Sequence, residues 1–310
     1  MPVIEVQNLT KDYGHGRGVF DVSFQIEKGE VFGFLGPNGA GKTTTIRHIM
    51  GFSRPQKGHT FINGKDSWTS YHVNQKELGY LPGEIALPES LTGTEFIQMM
   101  ADLRGVTDMS RTEYLLKKFD LDPRGGLKRM SLGMKRKLAV VTAFMHDPDV
   151  LILDEPTSGL DPVMQRRFIE FIGEEKARGK TILLSSHIFS EVDAVCDRIA
   201  IIRDGKIVST VVADELRHNM DKTFKLEFIS EMEYQLFLHD VINPGKLEAA
   251  AINPQHNQVK VRINDTQIRQ FFEIISHFQL KFISEEKFTL EDYFMKFYDR
   301  NKGGVKDGLH

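Results

Sequence analysis

Hydrophobic positions follow several rhythms along this chain, and each predicts an element. Residues 3–8 and 19–26 alternate apolar with polar, as half-buried strands do, and Glu27-Lys28-Gly29 turns the chain after the second. Residues 30–35 (EVFGFL) and 150–155 (VLILDE) are near-continuous apolar runs, which predicts strands covered on both faces. Further strands fall at 59–62, 181–185, 198–202 and 206–211, with Asn63-Gly64 and Asp204-Gly205 as turns. Helical spacing marks 44–50, which buries Ile46, Ile49 and Met50, and also 163–176 and 190–197. Between about 90 and 146 three helices follow one another without a strand. The first opens at a Thr92/Glu95 capping box with an apolar set of Phe96, Met99, Met100 and Leu103; the others are 111–119 and 133–144.

After Leu216 the order changes to strand 224–229, helix 232–241, strands 247–252 and 258–263, helix 267–278 and strand 281–284. That is the split βαβ order of a ferredoxin-like unit. A last helix, 290–298, carries Tyr293, Phe294, Phe297 and Tyr298, whose periodicity favours packing on their own domain over a partner surface. Residues 301–310 are expected to form a disordered tail. The fold predicted is α/β: a mainly parallel sheet with an antiparallel β layer and a helical insert over 1–217, then a small α+β domain over 222–300.

Composition narrows the function. Forty basic against forty-three acidic residues form no basic stripe, which argues against a nucleic-acid partner. The longest apolar runs, such as 138–145, fall far short of the roughly 20 residues needed to cross a bilayer, so no direct membrane insertion is expected. A single cysteine, Cys196, excludes an internal disulfide and reads as a core residue, and residues 1–9 lack the pattern of a secretory signal. These features point to the cytoplasm.

The chemistry concentrates in GPNGAGKTT, residues 36–44. Gly36, Gly41, Lys42 and Thr43 meet the P-loop spacing, between a predicted strand and a predicted helix. The backbone of Gly36, Pro37, Asn38, Gly39, Ala40, Gly41 and Thr44 would cradle phosphates at the positive end of the helix. Lys42 would reach the terminal phosphates, and the Thr43 hydroxyl offers a hard oxygen to Mg²⁺. Asp154 and Glu155 end a buried strand at the edge where open α/β sheets place ligands; strand alternation would aim them differently, Asp154 at Mg²⁺ and Glu155 at an attacking water. His187 closes a strand on the same edge, whereas His48, His59, His72 and His146 read as structural or solvated. Tyr13 is either a purine-stacking ring or a cover for the sheet edge. Ser131, in MSLGMKRK, is an N-cap candidate that by itself signals either an anion site or an ordinary capped helix with a solvated basic face.

Taken in order, Tyr13, GPNGAGKTT, a proline-rich loop, the helical insert, MSLGMKRK, VLILDEP, SGLD and Ser186-His187 resemble the ATP-binding subunit of an ABC transporter over about residues 1–215. The resemblance implies a P-loop NTPase core and ATP hydrolysis. It makes Tyr13 the adenine-stacking ring, residues 36–44 the Walker A loop, Ser131, Gly133 and Met134 part of the signature motif, and Asp154 and Glu155 the Walker B aspartate and catalytic base. Asp161 becomes the D-loop aspartate and His187 the switch histidine. It implies a homodimer, or a heterodimer with a second ATPase subunit, closing head to tail around two ATP. The partner would be a separate integral-membrane permease that holds the subunit on the inner face of the cell membrane. The ending TLEDYFMKFY looks like that of exporters of drugs, peptides or lipids.

Two departures stand out. Leu132 and Met134 replace a glycine and the glutamine of the usual LSGGQ, and Gly83 occupies the Q-loop position normally filled by glutamine, with Glu84 beside it as a candidate metal ligand. The competing reading is an ABC-type ATPase that acts as an ATP-dependent regulatory or assembly switch without transport. A GTPase is disfavoured, since no guanine-reading Asn-Lys-x-Asp follows the loop.

Overall fold

The computed structural model describes residues 1–217, 221–286 and 290–299. The chain divides into two compact units, Met1–Ala213 and the residues from Asp214 onward.

In the first unit a six-stranded sheet runs in the order Lys206–Val212, Arg198–Arg203, Val31–Leu35, Thr181–Ser186, Val150–Asp154, Leu78–Leu81. All neighbours are parallel except the first pair, a hairpin through Asp204-Gly205. Every residue of Val31–Leu35 and Val150–Asp154 is buried, as their unbroken apolar runs require of strands covered on both faces. A second, antiparallel sheet orders Gly18–Ile26, Ile4–Asp12, Lys57–Ile62 and Lys65–Asp66. Phe24 joins the two sheets: its ring stacks on Phe32 at 5.1 Å between centroids and leans on Phe34 at 5.4 Å, inside a core that includes Ile46 and Ile49.

The insert consists of helices Gly93–Arg104, Ser110–Lys118 and Leu132–Phe144. Thr92 and Glu95 form the expected capping box, but the buried face differs from the apolar set read off the sequence. Phe96, Ile97 and Ala101 are buried, while Met99 and Leu103 are exposed. The helix is apolar around much of its girth, and packing chose the stripe one residue over. Ion pairs tie the insert to helix Pro162–Ala177: Arg111 meets the nearly buried Glu175 at 2.7 Å, and Lys118 meets Glu174 at 2.7 Å. At the other end Arg104 donates to the Leu78 carbonyl at 3.0 Å and lies 2.8 Å from Nε2 of His146. A short helix not expected from the sequence, Tyr71–Glu77, precedes strand Leu78–Leu81; its side chains are mostly polar, and Asn74 alone among them is buried.

The second unit orders its strands Glu248–Asn253, Gln258–Asn264, Asp221–Phe228, Leu280–Glu286, every neighbour antiparallel. Each of its two βαβ crossovers admits one antiparallel strand between its parallel pair, which is the ferredoxin-like arrangement. Helices Glu231–Phe237 and Ile268–Ile275 close one core around Phe224, Phe228, Phe237 and Phe271. On the last helix, Leu290–Asp299, Phe294 is buried and Tyr293 half-buried; the side chains of Phe297 and Tyr298, and the whole of 301–310, lie outside the described residues.

Burial, then the charge of Arg104, push His146 down to about 4. Above about pH 6.5 the ring is neutral folded or unfolded; as pH falls from there toward 4, the unfolded chain takes up a proton that the fold refuses, so stability is lost over that window. Urea unfolding at pH 7.5 and pH 5 should show the parent losing about 1–2 kcal/mol more than His146→Gln, a figure reduced for partial solvent access.

Candidate nucleotide site

The site grows from the carboxyl edge of the six-stranded sheet. Strand Val31–Leu35 runs into residues 36–41, and helix Lys42–Ile49 follows at once. The loop needs its glycines. Gly39 and Gly41 adopt φ of 80° and 111°, and a Cβ on Gly36 would collide with the Ile202 carbonyl. The amides of Lys42, Thr43 and Thr44 belong to the first helical turn, so the helix provides no acceptors for them. They form an anion cradle at the positive end of the helix dipole. Lys42, only 5% exposed, curls back over the loop: Nζ donates to Gly36 O at 2.6 Å and Pro37 O at 3.1 Å, and lies 2.9 Å from Glu155 Oε1.

The opposing wall is built by strand register. Asp154 is level with Ser185, and Leu35 with Ser186. Asp154 is 0% exposed, and its Oδ1 accepts a 2.5 Å bond from Ser185 Oγ while Oδ2 has no hydrogen-bond partner. Ser185 Oγ also accepts from the Glu155 amide at 3.1 Å. Glu155 diverges from Asp154 through a left-handed backbone, φ 48°, rather than through the strand alternation expected from the sequence, because the strand has already ended. Its Oε2 meets His187 Nδ1 at 2.5 Å, so its two oxygens are divided between His187 and Lys42. A second clamp lies behind: Glu191 accepts from Thr157 at 2.5 Å and Ser186 at 2.8 Å, tying the turn after Glu155 to the strand end before His187.

These groups border a cleft of about 580 Å³ lined by Asn38, Thr43, Tyr80, Gly83, Glu84, Ser158 and the Asp154/Glu155/His187 group, among others. Burial and the Asp154 charge push Tyr80 up to about 12, so its hydroxyl stays protonated there. The donor chemistry fits a hard divalent cation: a buried carboxylate oxygen without a partner, with a hydroxyl and a second carboxylate on the same cleft. Among the described residues no three His, Cys, Asp or Glu side chains converge as a self-sufficient metal site. A cation here needs ligand oxygens from elsewhere, as one arriving on phosphates would bring.

Other expected residues lie outside that lining. Ser131 caps helix Leu132–Phe144, its Oγ accepting from the Met134 amide at 3.2 Å, which leaves the Leu132 and Gly133 amides of the first turn without a helical acceptor. Beside it, a Cβ on Gly133 would come 3.2 Å from the Gly159 carbonyl, and Leu132 packs at Gly159 while staying 60% exposed. Asp161 caps helix Pro162–Ala177, accepting from the Val163 and Met164 amides at 3.0 Å. Tyr13 projects from a loop, half exposed, with Lys11 Nζ 5.7 Å from its ring centre. One chain thus holds the glycine loop on the cleft and a second capped helix N-terminus outside the cleft's lining. Sequence reasoning missed Ser185, a polar residue closing an apolar strand, and Arg136, hidden in a basic run.

A family model described as ABC transporter matches residues 19–158. YhcH of Bacillus subtilis, an uncharacterized ABC transporter ATP-binding protein, is 33% identical over 98% of each chain. This chain belongs to the ATP-binding proteins of ABC transporters. The bacitracin transport ATP-binding protein BcrA of Enterococcus faecalis is 30% identical over 95% of this chain and 96% of its own. A solved structure of an ATP binding subunit of an ABC transporter superposes with a TM-score of 0.63 at 33% identity, over 69% of this chain and 92% of that one. The ABC ATPase identity gives the chain its substrate, ATP, and its reaction, hydrolysis. No helix among the described residues is long and apolar enough to cross a membrane.

Ser185 holds both acids of this ABC ATPase, which makes it testable. Ser185→Ala strips a buried bond from Asp154 Oδ1, and should cost about 1–3 kcal/mol of stability. ATPase turnover of the still-folded protein should drop more than about 10-fold if Asp154 binds the metal, the scale of losing a supporting hydrogen bond to such a ligand. Calorimetry and phosphate release measure the two effects.

Proposed function

We propose that this chain powers a separate membrane permease by dimerising around two ATP, with export of a drug, antimicrobial peptide or lipid as the work done. The observation that carries the reading is that one chain has two helix N-termini whose first amides lack helical acceptors, one behind the loop 36–44 and one capped by Ser131. A second copy placed head to tail would bring its Ser131 helix to the phosphates held by the first copy's loop, and the two-fold pairing would complete both sites at once. The name of BcrA, matched over nearly the whole length, supports the export branch.

In this reading Asn38 to Thr44 and Lys42 bind and orient the phosphates, and Tyr13 stacks on the base. Thr43, Asp154 and Glu84 hold Mg²⁺, which when bound neutralises phosphate charge. Glu155 orients the attacking water, and His187 keeps its Oε2 carboxylate oxygen in place at 2.5 Å. Ser131 and Gly133 of the second copy supply donors to the terminal phosphate, Met134 donates its amide to Ser131 Oγ and so orients it, and Asp161 fixes the start of the helix that follows the site. Catalysis is then positioning and electrostatics. Either an identical copy or a second ATPase subunit serves as the other half, and the permease holds the pair at the inner face of the membrane.

Solution mass with and without Mg²⁺ and ATP tests the shared site. Glu155→Gln should lose hydrolysis by at least about 100-fold, retain ATP, and double in mass when ATP is added. Undiminished hydrolysis would remove Glu155 from its role. A variant that binds ATP tightly yet stays at monomer mass would count against closure by this chain alone.

A further inference from the structure

Arg136 does not belong to the solvated basic face that MKRK suggests. It is 2% exposed, on the inner side of helix Leu132–Phe144, and its guanidinium makes three hydrogen bonds. Nη1 donates to Pro82 O at 2.7 Å, Nη2 to Gly83 O at 2.6 Å, and Nε to Ser158 O at 2.9 Å. The first two acceptors lie just past strand Leu78–Leu81, where the chain has left its ladder with Val150–Asp154. The third belongs to the turn whose Ser158 amide donates back to Glu155 O at 3.1 Å. One planar fork therefore ties the loop at 82–83 to the turn behind Glu155. An ammonium cannot reproduce three divergent, fixed donors.

The tie matters because of its neighbours. Gly83 faces Asp154 so closely that a Cβ would stand 3.2 Å from Oδ2, the carboxylate oxygen with no partner. Its lack of a side chain leaves room beside that buried oxygen. The next residue, Glu84, is exposed and lines the same cleft as Asp154 and Thr43. With residue 83 bare, the loop's own oxygen donor is the Glu84 carboxylate.

We propose that Arg136 is a positioning residue for the cation site: by fixing the backbone of residues 82–83 against the turn after Glu155, it presents Glu84 to the cation held at Asp154. The inference rests on the proposed metal-nucleotide site and adds the residues that adapt this chain to a bare position 83.

The test compares affinity for the β,γ-imido analogue of ATP measured with Mn²⁺ and with EDTA, and takes the ratio as the metal's contribution. Glu84→Ala and Arg136→Lys should each lower that ratio about 10-fold, the scale of lost supporting contacts at metal sites, with metal-free affinity unchanged. The double variant should fall no further than the more affected single one, since both changes act through one contact. Effects that multiply, or a loss from Arg136→Lys that is equal with and without Mn²⁺, would make Arg136 merely structural and overturn the proposal. Should Arg136→Lys fail to fold, Arg136→Gln takes its place. Glu84 is exposed and its replacement leaves the fold intact, so an unchanged ratio for Glu84→Ala overturns the proposal by itself. If the parent protein binds no analogue under either condition, the nucleotide site itself is wrong; binding with a ratio indifferent to Glu84 rejects only the role given to Arg136 and Glu84.

Discussion

The site depends on the parallel register of three buried strands. Leu35 level with Ser186, and Asp154 level with Ser185, set the phosphate loop, the two acids and His187 along one sheet edge. A slip of one residue would turn Ser185 to the opposite face and leave the buried Asp154 carboxylate without its 2.5 Å bond. Burying such a group is costly unless hydrogen bonds compensate, so the chemistry and the packing select the same alignment. The strands support this by being covered on both faces, which makes every side chain in Val31–Leu35 and Val150–Asp154 sensitive to register.

Much of this was legible where local letters carry both the chemistry and its context. GPNGAGKTT sits between an apolar strand and a helix, and VLILDE ends a run that only a buried strand explains. The βαββαβ order of the second unit was readable because its apolar positions change period with each element. What escaped reading depends on partners far away in sequence. Ser185 acts on Asp154 and Glu155, some thirty positions before it, and a serine one short of the end of TILLSS announces nothing by itself. Arg136 bonds carbonyls 53 and 54 positions earlier, so its basic neighbours suggested solvent. Helix Tyr71–Glu77 has too few apolar residues to show a period, and the stripe on Gly93–Arg104 was decided by what packs against it.

The departures from the usual motifs have a shared logic at the level of space. Gly83 places no side chain against the buried Asp154 Oδ2, and Gly159, with φ 81°, leaves room for Leu132 to lie over the turn that Arg136 also grips. The turn after Glu155 is thus held from two sides of one helix N-terminal segment, by a buried cation and by an apolar contact. A change at any of these positions is transmitted to Glu155 through a single short turn.

The charge pattern around Glu155 also says how nucleotide would act on it. Lys42 divides its ammonium among Gly36 O, Pro37 O and Glu155 Oε1, while His187 holds Oε2. A carboxylate tied at both oxygens has little freedom to orient water. A terminal phosphate carries more negative charge than the carboxylate and would draw Lys42 toward the loop amides, since attraction at fixed distance scales with charge. Oε1 would then be released while Oε2 remained with His187, so that in the proposed reading the ligand's own charge frees the carboxylate that orients the attacking water.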